Sequence, residues 1–345
     1  MITSRTFGIL PDGGEIVIYK IENNCGEFVE IMNYGAVIHS INVKSRDGSL
    51  VDCVLGCADM EALNGRNFKA ATMGRVGNRI DSGRCVVDGE ELTLEQNRGG
   101  HLLHSGSGNF ASKLFEGKAE EDGKTVTLHI IDKGECGFNS LLDAYIHFSF
   151  DDEHRLTIHY DMTPIDKATV VSPTNHAYFN LGGLEDIREE YLTLYASNQP
   201  ALNERGVPGG GLKSILGTPA DFTSPRKIGE AMASDISYFP EGRVGYDDFY
   251  ALDRVRDDSL AAVLYSPKTG IQMETYTDMQ SVILFTPSNC AGRADKTQSL
   301  TADFSAVCLE TQFVPNAVNV PEFDSPVFKA GEHYDSTTVY AFSVK

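Results

Sequence analysis

Two groups suited to moving protons set the terms for reading this chain. The first is His176, in the stretch Ser172-Pro173-Thr174-Asn175-His176-Ala177-Tyr178-Phe179-Asn180-Leu181-Gly182-Gly183. A strand-like run, Ala168 to Val171, leads into it and two glycines close it. In extended chain the spacing of two places His176 and Tyr178 on one face, with Asn175 and Asn180 adding neutral hydrogen-bonding capacity on either side. An imidazole ordinarily changes charge near neutral pH, which suits proton transfer to a polyhydroxyl substrate. The plainer reading is a structural histidine at a strand end. The second group is Glu310, in Val307-Cys308-Leu309-Glu310-Thr311-Gln312-Phe313. Here an apolar strand, Val307 to Leu309, ends in a glutamate, which is costly near a core without partners. Burial there would raise its pKa and make it a usable general base.

Three further stretches carry chemistry-bearing side chains. Gly74-Arg75-Val76-Gly77-Asn78-Arg79-Ile80 sets two arginines and an asparagine among small residues. Guanidinium groups suit hydroxyls as well as carboxylates, and a salt-bridged loop is the plainer alternative. A phosphate loop is not indicated, since the Gly-x-x-x-x-Gly-Lys pattern is absent. Gly100-His101-Leu102-Leu103-His104-Ser105-Gly106 raises the question of a metal, but no local acidic or cysteine ligand accompanies the two histidines. Gly245-Tyr246-Asp247-Asp248-Phe249-Tyr250 places carboxylates between aromatics, either to meet a sugar ring or as an exposed acidic turn. His39, His129, His147, His154, His159 and His333 fall in strand patterns or turns and read as structural.

The elements that must position these groups are strands. Period-two alternation marks Glu15 to Ile21, Phe28 to Met32, Ala36 to Lys44, Leu50 to Leu55, Val126 to Ile131, Ala144 to Phe150 and Leu156 to Met162. It continues through Tyr191 to Ala196, Ala261 to Tyr265, Ile271 to Thr277, Val282 to Thr286 and Thr338 to Val344. Asp88-Gly89 between Cys85-Val86-Val87 and Glu91-Leu92-Thr93-Leu94 predicts a hairpin, because glycine accepts positive φ. Helical periodicity is weak: Asp59 to Asn64 and Lys227 to Met232 are the candidates. Turn signals recur throughout, which predicts an all-β protein of two large antiparallel sheets. Val207-Pro208-Gly209-Gly210-Gly211 reads as a loop, too short for a domain linker. The expectation is a single domain over residues 1–345.

Composition narrows the partners. With 49 acidic against 29 basic residues the net charge is -20, which argues against nucleic acid and anionic membranes, and against a heavily phosphorylated substrate. Seven scattered cysteines, without a Cys-x-x-Cys pair, argue against a disulfide framework or zinc ribbon and suit a reducing cytosol. The N-terminus has no apolar stretch of the secretory kind, and no run approaches the length of a membrane span. A cytoplasmic location is expected.

With these stretches together, the chain resembles the aldose 1-epimerase (galactose mutarotase) family. The resemblance runs along nearly the whole length, with motifs in family order: Gly74 to Ile80, Leu103-His104, Thr174 to Leu181, Gly217-Thr218-Pro219-Ala220-Asp221-Phe222, Tyr246-Asp247 and Leu309-Glu310-Thr311-Gln312. It implies the β-supersandwich fold, the interconversion of α and β anomers of free hexoses, and no cofactor or metal. It also implies Glu310 as general base, His176 as general acid, and Asn78, Arg79, His104, Tyr178 and Asp247 as sugar-binding positions. A small aldose is the expected partner of a monomer or homodimer. Two departures stand out: Asp248 where relatives carry His, and Ile283-Leu284-Phe285-Thr286-Pro287-Ser288-Asn289 where relatives have Gln-x-Tyr-Thr-Gly-Asn. The second replaces a substrate-facing polar group by Ile283, so the preferred sugar need not be galactose. The competing readings are an inactive sugar binder, an epimerase of a phosphorylated or otherwise modified hexose, and a glycoside hydrolase using Asp247 and Glu310.

Overall fold

The structure, a computed structural model, describes residues 1–64, 70–183, 186–239, 244–253, 259–288, 296 and 302–345. Asn289 of the stretches above, and Cys290 among the seven cysteines, lie outside them. Strict alternation builds the scaffold: along Leu142–Phe150 and Arg155–Pro164 every second residue is buried. Leu142, Ala144, Ile146, Phe148 and Phe150 face the core from the first strand, and Leu156, Ile158, Tyr160 and Met162 from the second. Each such large apolar side chain contributes about 1.5–3 kcal/mol when fully buried.

These strands belong to a nine-stranded sheet in the order Glu116–Ala119, Thr125–Asp132, Leu142–Phe150, Arg155–Pro164, Tyr334–Val344, Ile271–Thr277, Leu260–Tyr265, Tyr191–Leu194, Arg226–Lys227. A five-stranded meander, Ile2–Ile9, Glu15–Glu22, Phe28–Met32, Val37–Lys44 and Leu50–Asp52, forms a second sheet. A third orders Pro208–Ser214, Asn198–Leu202, Asp247–Ala251, Ser281–Phe285 and Cys308–Gln312. The pairings in these sheets are antiparallel. The all-β expectation of antiparallel sheets therefore holds; among the described residues the large sheets are one of nine strands and two of five. The hairpin at Asp88-Gly89 joins Arg84–Val87 to Glu90–Thr93, and the two helices, Met60–Asn64 and Ile228–Ser234, are as short as expected.

Two local readings are corrected. The run Val207 to Gly211 is no simple loop: Pro208–Ser214 is the edge strand of the third sheet, where a proline's missing N–H and glycines are tolerated. The strand carrying Glu310 does not end there but continues as Cys308–Gln312, placing the glutamate mid-strand. Among the described residues no two cysteines form a disulfide, and no described helix is long and apolar enough to cross a membrane.

Candidate active site

Glu310 owes its position to register. On the strand Cys308–Gln312 it pairs with Ile283, which pairs in turn with Phe249, so these three side chains share one face. Two residues along, Cys308 pairs with Phe285 and Phe285 with Asp247, which brings Asp247 onto the same face. Glu310 is 2% exposed. Burial, reinforced by the negative charge of Asp247 and opposed by Arg79, raises its pKa to about 8.

His176 reaches this face from another direction. The short strand Thr174–Asn175 packs against Cys308–Gln312, the His176 amide donates to the Ala71 carbonyl at 2.9 Å, and Phe179 exchanges backbone bonds with Val307 at 2.8 and 2.9 Å. Pinned on both sides, His176 places Nε2 3.4 Å from Glu310 Oε1. Its ring packs on Tyr178 (centroids 4.9 Å apart) and meets Phe285 edge-on at 5.8 Å. Burial lowers its pKa to about 4. This corrects the expectation of a histidine that changes charge near neutrality: the buried imidazole is neutral there. His176 Nδ1 and Glu310 Oε2 are buried without a hydrogen-bond partner among the described residues.

His104 and Asn78 clasp each other. The Asn78 amide donates to His104 Nδ1 at 3.0 Å, and the His104 amide donates to the Asn78 carbonyl at 2.9 Å. Both have positive φ, 55° and 49°, a region in which Asn and His are enriched. Burial, with like-signed neighbours His176 and Arg79, lowers the His104 pKa well below its ordinary value. A neutral ring whose Nδ1 accepts must carry its proton on Nε2, so His104 can donate to a ligand oxygen. Its ring lies 5.6 Å from that of His176. Arg79, held in a two-residue ladder against Leu103, reaches Asp247 Oδ2 and Asn78 Oδ1, both at 3.4 Å. Gly77 is required for this approach: a Cβ there would stand 2.7 Å from Thr174 Cγ2 and 2.9 Å from Gln312 Oε1.

The same motifs send other residues elsewhere. Arg75 is 1% exposed and turned inward: its Nε donates to Asp132 at 2.7 Å, and its Nη1 to the hydroxyls of Ser140 and Thr169 at 2.8 and 2.9 Å. His101 faces Asp81 at 3.3 Å. Asn175 donates to Thr72 at 3.4 Å and Asn180 to the Ser305 carbonyl at 2.8 Å, so both amides serve the framework. Asp248 points away from Asp247 along the strand, where it accepts from Tyr238 Oη at 2.6 Å, Gln199 Nε2 at 3.1 Å and the Asp247 amide at 3.3 Å. Ile283 stands beside Glu310 but is fully buried, so the departure that is partly accessible is Phe285, which is half-buried against His176. Gln312 was not singled out from the sequence, although its spacing of two from Glu310 was the available signal. It is fully buried, and its amide atoms have no partner among the described residues.

Donor atoms of His104, His176 and Glu310 lie within 4.8 Å of one another. Ligands sharing a zinc at ~2.0–2.1 Å stand only ~3.4 Å apart. The His176–Glu310 distance meets that spacing; a full triad must meet it for all three pairs.

A buried carboxylate–imidazole pair ringed by Asn, Arg, His, Tyr and Asp suits proton transfer on a neutral, hydroxyl-rich molecule. The family model described as aldose 1-epimerase matches residues 17–341. The chain belongs to the aldose 1-epimerase family. Aldose 1-epimerase of Escherichia coli (strain K12) is 32% identical over 98% of this chain and 99% of its own. Galactose mutarotase of Rattus norvegicus is 31% identical over 99% of each. In fold, the GalM/aldose epimerase homologue from C. elegans superposes with a TM-score of 0.86 at 23% identity, covering 95% of this chain and 98% of its own. Galactose 1-epimerase from Lactobacillus acidophilus NCFM gives 0.84 at 22%, covering 100% and 99%. This family member is an isomerase, and the β-supersandwich expected from its motifs is its fold.

Proposed function

We propose that this aldose 1-epimerase interconverts the anomers of free hexoses through one proton shared by Glu310 and His176, with Asn78, Arg79, His104, Tyr178 and Asp247 holding the sugar. The observation that carries this reading is the buried contact of 3.4 Å between His176 Nε2 and Glu310 Oε1. Burial favours the neutral form of each group, so in the free site the proton resides on Glu310 and His176 is neutral. Arg79 favours the Glu310 carboxylate and Asp247 favours a protonated His176. These two neighbours stabilise the alternative arrangement, carboxylate plus imidazolium, that the reaction uses. Glu310 then takes the proton of the C1 hydroxyl while His176 protonates the ring oxygen. The C1–O5 bond breaks, the open-chain aldehyde turns about C1–C2, and O5 adds to the other face. Reclosure returns the O5 proton to His176 and supplies the C1 oxygen with one from Glu310, so the pair ends as it began. His104 Nε2–H, Arg79 and Asp247 offer donors and an acceptor suited to the remaining hydroxyls.

Polarimetry of freshly dissolved α-glucose and α-galactose tests this directly. Catalysed relaxation to the equilibrium rotation is expected, unchanged after exhaustive treatment with EDTA, because the steps need only proton transfer. No acceleration for any hexose would defeat the proposal, and loss with chelator reversed by a divalent metal would defeat its metal-free form.

The pH dependence follows from the two shifts. Above about pH 8 Glu310 gives up the shared proton, and below about pH 4 His176 takes on a second one. Activity is therefore expected to form a bell, falling on the alkaline side as the pair loses its proton and on the acid side as the base becomes blocked. A stopped-flow pH series checks it; a rate still climbing beyond pH 9 would assign the work to a lone carboxylate.

Phe285 sets the expected selectivity. Apolar walls discriminate by only ~10–200-fold, whereas hydrogen-bonded sites reject by ~10⁴ or more. The ratio of kcat/KM between glucose and galactose is expected within the lower range. A preference of several thousand-fold would contradict it.

A further inference from the structure

A cavity lies on the nine-stranded sheet and shares no residue with the site of Glu310. Along Tyr191–Leu194, Leu260–Tyr265 and Ile271–Thr277, one set of side chains (Leu192, Leu194, Ala262, Leu264, Ile271 and Met273) joins the core. Alternation sends the intervening side chains to the opposite face. Register then aligns them in rows: Tyr191 pairs with Tyr265 and Tyr265 with Gln272, while Thr193 pairs with Val263 and Val263 with Glu274. The segment Thr223 to Pro225 and the terminal Lys345 wall these rows into a cavity of about 630 Å³, within the ~300–1,000 Å³ of small-ligand sites.

The lining has two parts. Tyr191 and Tyr265 hold their ring centroids 6.3 Å apart at 42°, offering partly exposed aromatic surface. Beside them Glu274 is held in place, one oxygen accepting from Gln272 Nε2 at 2.9 Å and the other from Tyr276 Oη at 2.6 Å. Both donors are neutral, so among the described residues the carboxylate is oriented without a paired cation. Each oxygen has a further lone pair to offer.

We propose that this cavity is a second, non-catalytic saccharide site that binds a neutral oligosaccharide. A pyranose ring has an apolar C–H face that suits the tyrosine rings, and vicinal hydroxyls that suit a fixed carboxylate acceptor. The charge of the chain and of Glu274 disfavours an acidic glycan. The concave shape favours a chain of a few sugar units over a second protein, whose interfaces are broad.

Calorimetric titration and saturation-transfer NMR of the full chain with maltotriose and cellotriose test the proposal. At least one should bind saturably. Tyr265→Ala and Glu274→Gln should each weaken that binding by about tenfold or more, as for an aromatic or charged anchor, while Tyr265→Phe keeps the ring and the binding. Mutarotation of α-glucose should be unaffected in all three variants, which separates this site from the one at Glu310. Three results would overturn it: neither trisaccharide binding, binding indifferent to Tyr265→Ala and Glu274→Gln, or Tyr265→Ala splitting a dimer, which would assign the cavity to a second copy.

Discussion

Glu310→Gln is expected to lower kcat by at least about 10²-fold with little change in KM. The amide preserves shape and hydrogen bonding yet can neither take nor hold the shared proton, and general acid–base catalysis contributes ~10²–10⁴-fold. His176→Asn should have an effect of the same order, since it removes the group 3.4 Å away that exchanges that proton. Because both act on one transition state, the double variant should lose less than the product of the single losses. Arg79→Ala and Asp247→Ala should raise KM as well as lower kcat, as expected of groups that hold the sugar. Steady-state polarimetry on purified variants decides. Near-normal turnover by Glu310→Gln would remove it as the base and make Asp247, on the same sheet face, the next carboxylate to test.

Asp132→Ala is expected to destabilise the fold by about 3–5 kcal/mol, the range for leaving one member of a buried ion pair alone. Asp132 is 3% exposed and accepts from Arg75 Nε at 2.7 Å and from Lys113. Without it the guanidinium keeps Ser140 and Thr169 but loses its counter-charge. The effect reaches the site through the chain: Val76, next to Arg75, is tied to Ser105 at 2.8 Å, and Ser172 donates to the Arg75 carbonyl at 2.9 Å. These ties fix the segments carrying Asn78, His104 and His176. Chemical denaturation should show an earlier midpoint, and the folded fraction should bind sugar less well. A midpoint unchanged within error would mean that Arg75 finds compensation elsewhere.

The sequence by itself determined most of the long strands, whereas Ile2–Ile9, Glu116–Ala119, Asn198–Leu202 and Asp247–Ala251 were not legible in it. Period two is written directly in alternating Ile, Val, Phe and Tyr, because each strand must turn one face to the core. The short spacing of His176 and Tyr178 likewise placed them on one face, where their rings meet. Fates that hinge on distant partners were not legible. Arg75 and Arg79 sit four residues apart in one motif, yet Asp132 draws the first into the interior and Asp247 meets the second at the site. His101 and His104 divide in the same way between Asp81 and Asn78. The glycine-rich Pro208–Ser214 became a strand only because Asn198–Leu202 offered it an edge. Most of all, the protonation of the central pair was decided by tertiary structure. A histidine titrates near neutrality and a glutamate well below it in water, but burial inverts that order to about 4 and about 8. Desolvation depends on everything packed around a group, so it exists only once the strands have closed over it.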